Sequence, residues 1–250
     1  MEGSEFEMIK LGVIYGGKST ENEISCKSAK YILENLDKNK YDIYPIYIDK
    51  NGEWYKEKLG ERAKIENIIK YLKELDIVFP ILHGLYGEDG TIQGLFELFN
   101  IKYVGCGVLA SSISMDKAYA KIIFEKANIL QTKYIYLKKC YKEEYIYFDE
   151  ILNETRYNIN EIANKIEEKL KYPMFVKPSN SGSSVGISKV ENRRDLIKGI
   201  EDAGKYDEKI LVEEGIIGKE VECAVLGNSE LGVTATEPRS NITGRGFLLI

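Results

Sequence analysis

An apolar run at residues 9–15 stops at Gly16-Gly17 and gives way at once to a helical pattern. Its residues are apolar at nearly consecutive rather than alternate positions, so the strand they predict is covered on both faces. That is the signature of a parallel strand in an α/β layer. In the segment that follows, Ile24, Ser28, Ile32 and Leu36 recur at helical spacing with Ala29 and Leu33 beside them, which predicts one buried helical stripe. Ser19 is placed to cap this helix, and Glu21 and Glu23 fall in its first turn, where acids complement the helix dipole. A strand, a glycine turn and a helix in this order open a β-turn-α unit. In open α/β sheets, ligands bind beyond the carboxyl ends of the strands.

The pattern repeats. Residues 42–48 alternate as a strand, Asn51-Gly52 is a hairpin-type turn, 65–75 predict a helix, and 76–82 predict a second apolar strand ending at His83-Gly84. Helices are expected at 91–99 and at about 109–127. Beyond that the character changes. A polar-aromatic strand is predicted at 134–142, a Tyr- and Glu-rich stretch at 143–157 has no period and is expected to be a variable loop, and 159–170 carry a helical stripe. Strands at 174–177 and 186–190, a helix at 193–203 and strands at 209–214, 219–226 and 231–236 complete the pattern. Runs of strands without intervening helices predict an antiparallel, α+β second part. The expected fold class is therefore α/β followed by α+β.

Bulk chemistry narrows the function. The 250 residues carry a formal net charge of −5, which disfavours a polyanionic partner such as nucleic acid. No window approaches the ~20 apolar residues of a membrane-spanning helix. Cys26, Cys106, Cys140 and Cys223 have neither CxxC spacing nor proximity in sequence, so reduced thiols in a cytoplasmic protein are expected. Residues 1–7 have no apolar signal core and read as a vector scar and disordered start. The chain ends on an apolar run at 247–250, unlike an ordinary polar terminus, and an incomplete chain is expected.

Five candidates could carry chemistry. In Lys177-Pro178-Ser179-Asn180-Ser181-Gly182-Ser183-Ser184-Val185-Gly186, a strand delivers a lysine into a loop of small hydroxyl and amide residues. Such a loop is either a flexible hairpin turn or a cradle of inward backbone N–H groups for phosphate, and the strand-borne lysine favours the cradle. Glu213-Glu214-Gly215-Ile216, at the exit of a strand, is either solvated charge or a purine-binding linker, with Glu220 a further acid. Glu21 is either a dipole-complementing acid or a ligand group at a strand tip. His83, the only histidine, stands in a glycine-rich turn that a substrate can reach, although a lone histidine is more often structural. Lys117 begins a helical run and is otherwise an ordinary surface lysine.

These segments resemble the motifs of the D-alanine–D-alanine ligase family. Gly16-Gly17-Lys18-Ser19-Thr20-Glu21-Asn22-Glu23-Ile24-Ser25 looks like the first, and the stretch from His83-Gly84-Leu85-Tyr86-Gly87-Glu88-Asp89-Gly90 through Thr91-Ile92-Gln93-Gly94 like the second. Ser114-Met115-Asp116-Lys117, Val176-Lys177-Pro178 with Ser183-Ser184-Val185-Gly186, and Val212-Glu213-Glu214 with Gly218-Lys219-Glu220-Val221 follow in the family's order. Some details also look close to D-alanine–D-serine ligases.

The resemblance implies an ATP-grasp fold and an ATP-dependent, ADP-forming joining of two D-alanines through a D-alanyl phosphate, for peptidoglycan precursors. It assigns 8–114 to a first-D-alanine domain, 115–213 to a central ATP-grasp subdomain and 214–250 to the start of an incomplete C-terminal subdomain. Glu21 and His83 would bind the first D-alanine, and Glu21 and Ser183 would act in catalysis. Lys117, Lys177, Ser183 and Ser184 would meet ATP phosphates, Glu213, Glu214 and Ile216 the adenine, and Glu220 the ribose. Glu214 stands where some members have lysine, so its contact is expected through the backbone. Mg2+ is implied as well, with no ligands identified in this sequence and its carboxylates expected further along such a chain. A homodimer is also implied. The alternatives are a catalytically inactive nucleotide- or D-alanine-binding fragment and a D-alanine–D-serine ligase.

Overall fold

A computed structural model describes residues 7–141, 144–182, 184–219, 221–228, 232–235 and 239–240. The described residues form two compact units, one from Met1–Ile129 with Ser179–Gly186, the other from Leu130–Pro178 with Ile187–Ile250.

The first unit is built on β1 (Ile9–Gly16), with β2 (Tyr41–Ile48) and β5 (Ile77–Pro80) parallel on either side. An antiparallel hairpin, β3 (Trp54–Lys58) and β4 (Glu61–Lys64), continues the sheet beyond β2, giving the order β4-β3-β2-β1-β5. As the sequence predicts, β1 is buried on both faces. Leu11, Val13 and Tyr15 pack with Ala29 of helix α1 (Asn22–Asn35), while Ile14 joins Ile46, Trp54, Val78 and Phe96 on the other side. The Asn51-Gly52 turn is held by Asp49, whose Oδ1 accepts from the backbone N–H groups of Asn51 and Glu53 at 2.9 Å each.

Local signals were misread in three places here. The helix expected at 65–75 is only α2 (Ile68–Leu72), because Asn67 caps it late, its side chain accepting from Lys70 N. The single helix expected at about 109–127 is two, α4 (Val108–Met115) and α5 (Lys117–Lys126), since Asp116 takes extended geometry and turns its carboxylate onto the N–H groups of Ala118 and Tyr119. An aspartate that can cap a new helix competes with continuing the old one. Ser19 is not the cap of α1. Glu21 holds that position without a side-chain cap bond, and the Ser19 hydroxyl accepts from Glu21 N at 3.1 Å. Helix α3 (Thr91–Leu98) forms as expected.

The second unit is a six-stranded antiparallel sheet in the order β10-β9-β11-β6-β7-β8. Its strands are β6 (Tyr134–Lys139), β7 (Glu144–Phe148), β8 (Glu154–Asn158), β9 (Met174–Pro178), β10 (Ser188–Val190) and β11 (Lys209–Glu214). Helices α6 (Ile159–Lys169) and α7 (Arg193–Ala203) cover one face, Ile162, Ile166, Leu196 and Ile200 meeting Leu137, Met174, Val176 and Ile210 in one apolar core. The variable loop expected at 143–157 is instead the β7–β8 hairpin. Tyr145 and Tyr147 alternate into the core, and Asp149 Oδ1 accepts from the N–H groups of Ile151 and Asn153 across the turn. Tyrosine serves here as a β-former, which its polarity concealed. Short strands β12 (Val221–Glu222), β13 (Val225–Asn228), β14 (Gly232–Ala235) and β15 (Arg239–Ser240) pair as β12-β15 and β13-β14, finer pieces than the two strands expected over 219–226 and 231–236.

The division after Ile129 differs from the expected boundary at 114/115. Helix α5 packs with α4, and the Lys117 N–H donates to Ser179 O within the first unit. The domain bounds read from sequence stand as a proposal and return below.

Candidate active site

In the first unit the tips of β1 and β5 and the 179–182 loop converge on Glu21. The Gly16 N–H donates to Ser25 Oγ at 2.8 Å, and Ser25, fully buried, donates in turn to Ile81 O at 2.5 Å. One hydroxyl on α1 thus fixes the ends of two parallel strands. The Glu21 carboxylate occupies space that two glycines leave open. A Cβ on Gly84 would lie 2.2 Å from Glu21 Oε2, and one on Gly182 would lie 2.5 Å from the same atom. Gly84 also has φ +70°, which L side chains rarely adopt. Next to Gly84, His83 places Nε2 3.0 Å from Ser28 Oγ and Nδ1 3.3 Å from Glu88 Oε1, while Glu88 Oε2 accepts from Gly84 N at 2.8 Å. A cavity of about 150 Å³ adjoins these loops, lined by Ile48, Trp54, Leu82 and Ile92 as well as Ser19 and His83.

The 179–182 loop is fastened to the start of α5. Ser179, fully buried, donates to Asp116 Oδ1 at 2.5 Å and accepts from Ala118 N at 3.0 Å, and Asn180 Nδ2 lies 3.3 Å from Asp116 Oδ2. The Lys117 ammonium donates to Ser181 O at 2.5 Å and reaches Ser179 O at 3.4 Å. Lys117 therefore shapes this loop as well as bringing charge to it. Two backbone carbonyls of the loop thus face the Lys117 ammonium, and Gly182 faces Glu21, in the connection between the antiparallel strands β9 and β10.

In the second unit, Lys177 on β9 and Glu213 on β11 form a buried ion pair, Nζ to Oε2 2.6 Å, with side chains 2% and 3% exposed. Taking both charges from water is costly, and the pairing offsets part of that cost. The Glu214 backbone N–H donates to Lys133 O at 3.1 Å and its Oε1 accepts from Lys133 N at 2.9 Å, so this residue ties the end of β11 to the segment before β6. Ile216 is 40% exposed.

The structure thus places Glu21 and Lys117 at the 179–182 loop and His83 beside Gly84 in one unit, and Lys177, Glu213 and Glu214 in the other. Ser184 has φ +59° in the turn that follows Gly182. Ser183 and Glu220 lie outside the described residues. Sequence reasoning gave no individual role to Ser25, Glu88 or Asp116, read Ser28 only as part of a helical stripe and Ser179 only as part of the loop. Ser28 could have been noticed about two helical turns beyond Glu21, on the same face, and Asp116 as an aspartate in capping position inside an over-long helical pattern. Among the described residues no group of three or more His, Cys, Asp or Glu side chains is placed to hold a metal ion, and none is long and apolar enough as a helix to cross a membrane. None of the described residues is therefore assigned to Mg2+.

Comparison with known proteins agrees with these motifs. Residues 10–106 match the D-ala D-ala ligase N-terminus, and residues 142–245 the D-ala D-ala ligase C-terminus. A D-alanine–D-alanine ligase of Clostridium acetobutylicum is 47% identical over 88% of this chain and 65% of its own length. One of Caldicellulosiruptor bescii is 43% identical over 96% and 68%. The chain thus spans about 65% of the length of several relatives it matches. Among solved structures, the VanG D-Ala:D-Ser ligase of Enterococcus faecalis superposes with a TM-score of 0.77 at 36% identity, covering 94% of this chain and 70% of that one. The D-alanine–D-alanine ligase of Coxiella burnetii gives 0.78 at 30% identity, covering 97% and 71%. The mixed α/β and antiparallel units are those of the ATP-grasp ligases it matches, as the motifs predicted. The chain belongs to the D-alanine–D-alanine ligase family.

Proposed function

We propose that this chain serves the ATP-dependent joining of two D-alanines through a D-alanyl phosphate, supplying peptidoglycan precursors in the cytoplasm. The observation that carries the proposal is the Glu21 carboxylate seated in the gap between Gly84 and Gly182. An ammonium ligand needs a fixed carboxylate with nothing bulky beside it, and two glycines from separate loops provide that. Glu21 then binds the ammonium of the first D-alanine and orients its carboxylate for attack on ATP, with the His83 turn beside it. Transfer of phosphoryl to a carboxylate needs positive charge near the phosphates and exclusion of water from the acyl phosphate. Lys117, at the base of the 179–182 loop, and Lys177 supply charge to the phosphates, together with the hydroxyls of Ser183 and Ser184. Glu213, Glu214 and Ile216 take the adenine and Glu220 the ribose. Catalytic roles are proposed for Glu21 and Ser183 alone.

The same proposal assigns 8–114 to the first amino acid, 115–213 to the central nucleotide subdomain and 214–250 to the beginning of the next, and it carries a homodimer and Mg2+ with it. The test is release of phosphate from ATP with and without D-alanine, and mass spectrometry of the dipeptide. D-alanine-dependent phosphate release with dipeptide formation is expected. ATP turnover indifferent to D-alanine would overturn the proposal, and binding of both ligands without turnover would favour a non-catalytic binding fragment. Because a D-Ala:D-Ser ligase is among the similar structures, D-serine belongs in the same assay as competing second substrate.

A further inference from the structure

Both ring nitrogens of the only histidine are occupied within the protein. His83 Nδ1 faces Glu88 Oε1 at 3.3 Å, and Nε2 faces Ser28 Oγ at 3.0 Å. An ionised carboxylate can only accept a hydrogen bond, whereas a hydroxyl can donate or accept. In the neutral ring the proton therefore belongs on Nδ1, donated to Glu88, and Nε2 takes the Ser28 O–H. The other Glu88 oxygen accepts from Gly84 N at 2.8 Å, and Glu88 N donates to Gly84 O at 2.9 Å. Ser28, His83, Glu88 and Gly84 thus form one unbroken chain of hydrogen bonds.

Its two ends meet the same element. Ser28 lies on α1, about two turns beyond Glu21 and on the same face of the helix. Gly84 lines the gap in which the Glu21 carboxylate sits. The loop that limits the Glu21 pocket is thereby referenced to the helix that carries Glu21.

We propose that Ser28 is a positioning residue that locks His83 in the Nδ1–H tautomer and so holds Gly84 at its spacing from Glu21. His83 acts as a strut in this arrangement and offers no ring N–H to a substrate. The functional half of the inference rests on the first-substrate role proposed for Glu21. The structural half does not.

The single histidine makes the tautomer directly readable. Long-range 1H–15N correlation of the ring, recorded in alkaline buffer where its resonances no longer change with pH, should show one major form with Nδ1 protonated and Nε2 bare. A major Nε2–H form would overturn the proposal. Ser28→Ala suits the helix, and it should move the Nε2 resonance toward that of a nitrogen without a hydrogen-bond donor. Ser28→Thr, which keeps the hydroxyl, should restore it. An Nε2 resonance unmoved in S28A would also overturn the assignment. Glu88→Gln should produce a mixture of tautomers, because an amide offers both a donor and an acceptor.

In steady-state assays, S28A should raise KM for the first D-alanine about fivefold, the loss of one hydrogen bond's worth of ordering, with kcat nearly unchanged and S28T close to wild type. An unchanged KM would overturn the link to the Glu21 pocket. If the ring shows the expected tautomer but no D-alanine-dependent turnover is found, the proposed function falls and the strut stands. If turnover is found but the tautomer is wrong, only the strut falls.

Discussion

In the first unit the groups assigned to substrate sit on loops and helix ends, whereas in the second the charged pair Lys177 and Glu213 sits within strands. Glu21 is placed by a helix start, two glycines and a set of hydroxyls at parallel strand tips. Lys177 and Glu213 are placed by the ladder of β9 and β11 and by the removal of water. A parallel sheet buried on both faces leaves only its edges for polar groups, so its site depends on backbone shape. An antiparallel sheet covered by helices on one face can carry charged side chains on its strands, at the cost of desolvating them. The first arrangement should therefore lose function before stability, and the second should lose both together.

Lys177→Met tests the second arrangement and carries the largest effect. It removes the ammonium paired with the buried Glu213 carboxylate, and about 3–5 kcal/mol of destabilisation is expected in urea unfolding. Lys177→Met with Glu213→Leu should recover most of that loss while leaving ATP affinity impaired. A single-variant loss below about 1 kcal/mol would show that water reaches the pair and would remove the contrast between the units.

Gly84→Ala and Gly182→Ala test the first arrangement as a pair. Alanine at Gly84 must enter the left-handed region, costing about 1–2 kcal/mol, and its methyl also collides with Glu21. Gly182 has no such backbone demand, so its alanine variant should unfold within about 0.5 kcal/mol of wild type. Both should weaken D-alanine by about tenfold or more, since a displaced carboxylate loses a charge-assisted bond worth about 1.5–3 kcal/mol. Normal D-alanine binding in G182A would mean that Glu21 has another working position.

Much of this division was legible in the residues. The consecutive apolar run at 9–15 marked a strand buried on both faces, and the stripe at 159–170 marked α6 almost to its ends. Glu21 and Lys117 stand at the loop that sequence singled out, since strand tips and small polar residues are local signals. What stayed hidden is pairing at a distance. Nothing near Glu213 announces Lys177 as its partner, and nothing near Asp116 announces Ser179. The β7–β8 hairpin escaped because tyrosines at 145 and 147 look polar in sequence and behave as core in the fold.

A cap offers a smaller effect on the second unit, separate from its ion pair. Asn158 opens α6 with a full capping box, its side chain accepting from Glu161 N at 3.1 Å while the Glu161 carboxylate accepts from Asn158 N at 2.8 Å. Asn158→Ala should cost about 1 kcal/mol in urea unfolding and leave D-alanine kinetics untouched. A loss equal to that of K177M would show that helix docking, and not the buried pair, governs this unit.

The smallest effect concerns pH in the first unit. Burial pushes the Glu57 carboxyl up, but Arg62 and the Tyr15 hydroxyl, which donate to Oε2 at 2.9 and 2.8 Å, more than offset this and leave it below the usual carboxylate value. Arg62 is fixed in turn by stacking 3.8 Å from the Tyr47 ring. A carboxylate with a depressed folded value stabilises the native state above its unfolded value, near 4.3. That contribution is lost as pH falls through the folded value. Wild-type stability should therefore decline from about pH 5 downward more steeply than that of Glu57→Gln, whose amide does not titrate. The two should diverge most at neutral pH and converge in acid. Parallel pH profiles would show that Glu57 contributes packing alone and draws no stability from its charge.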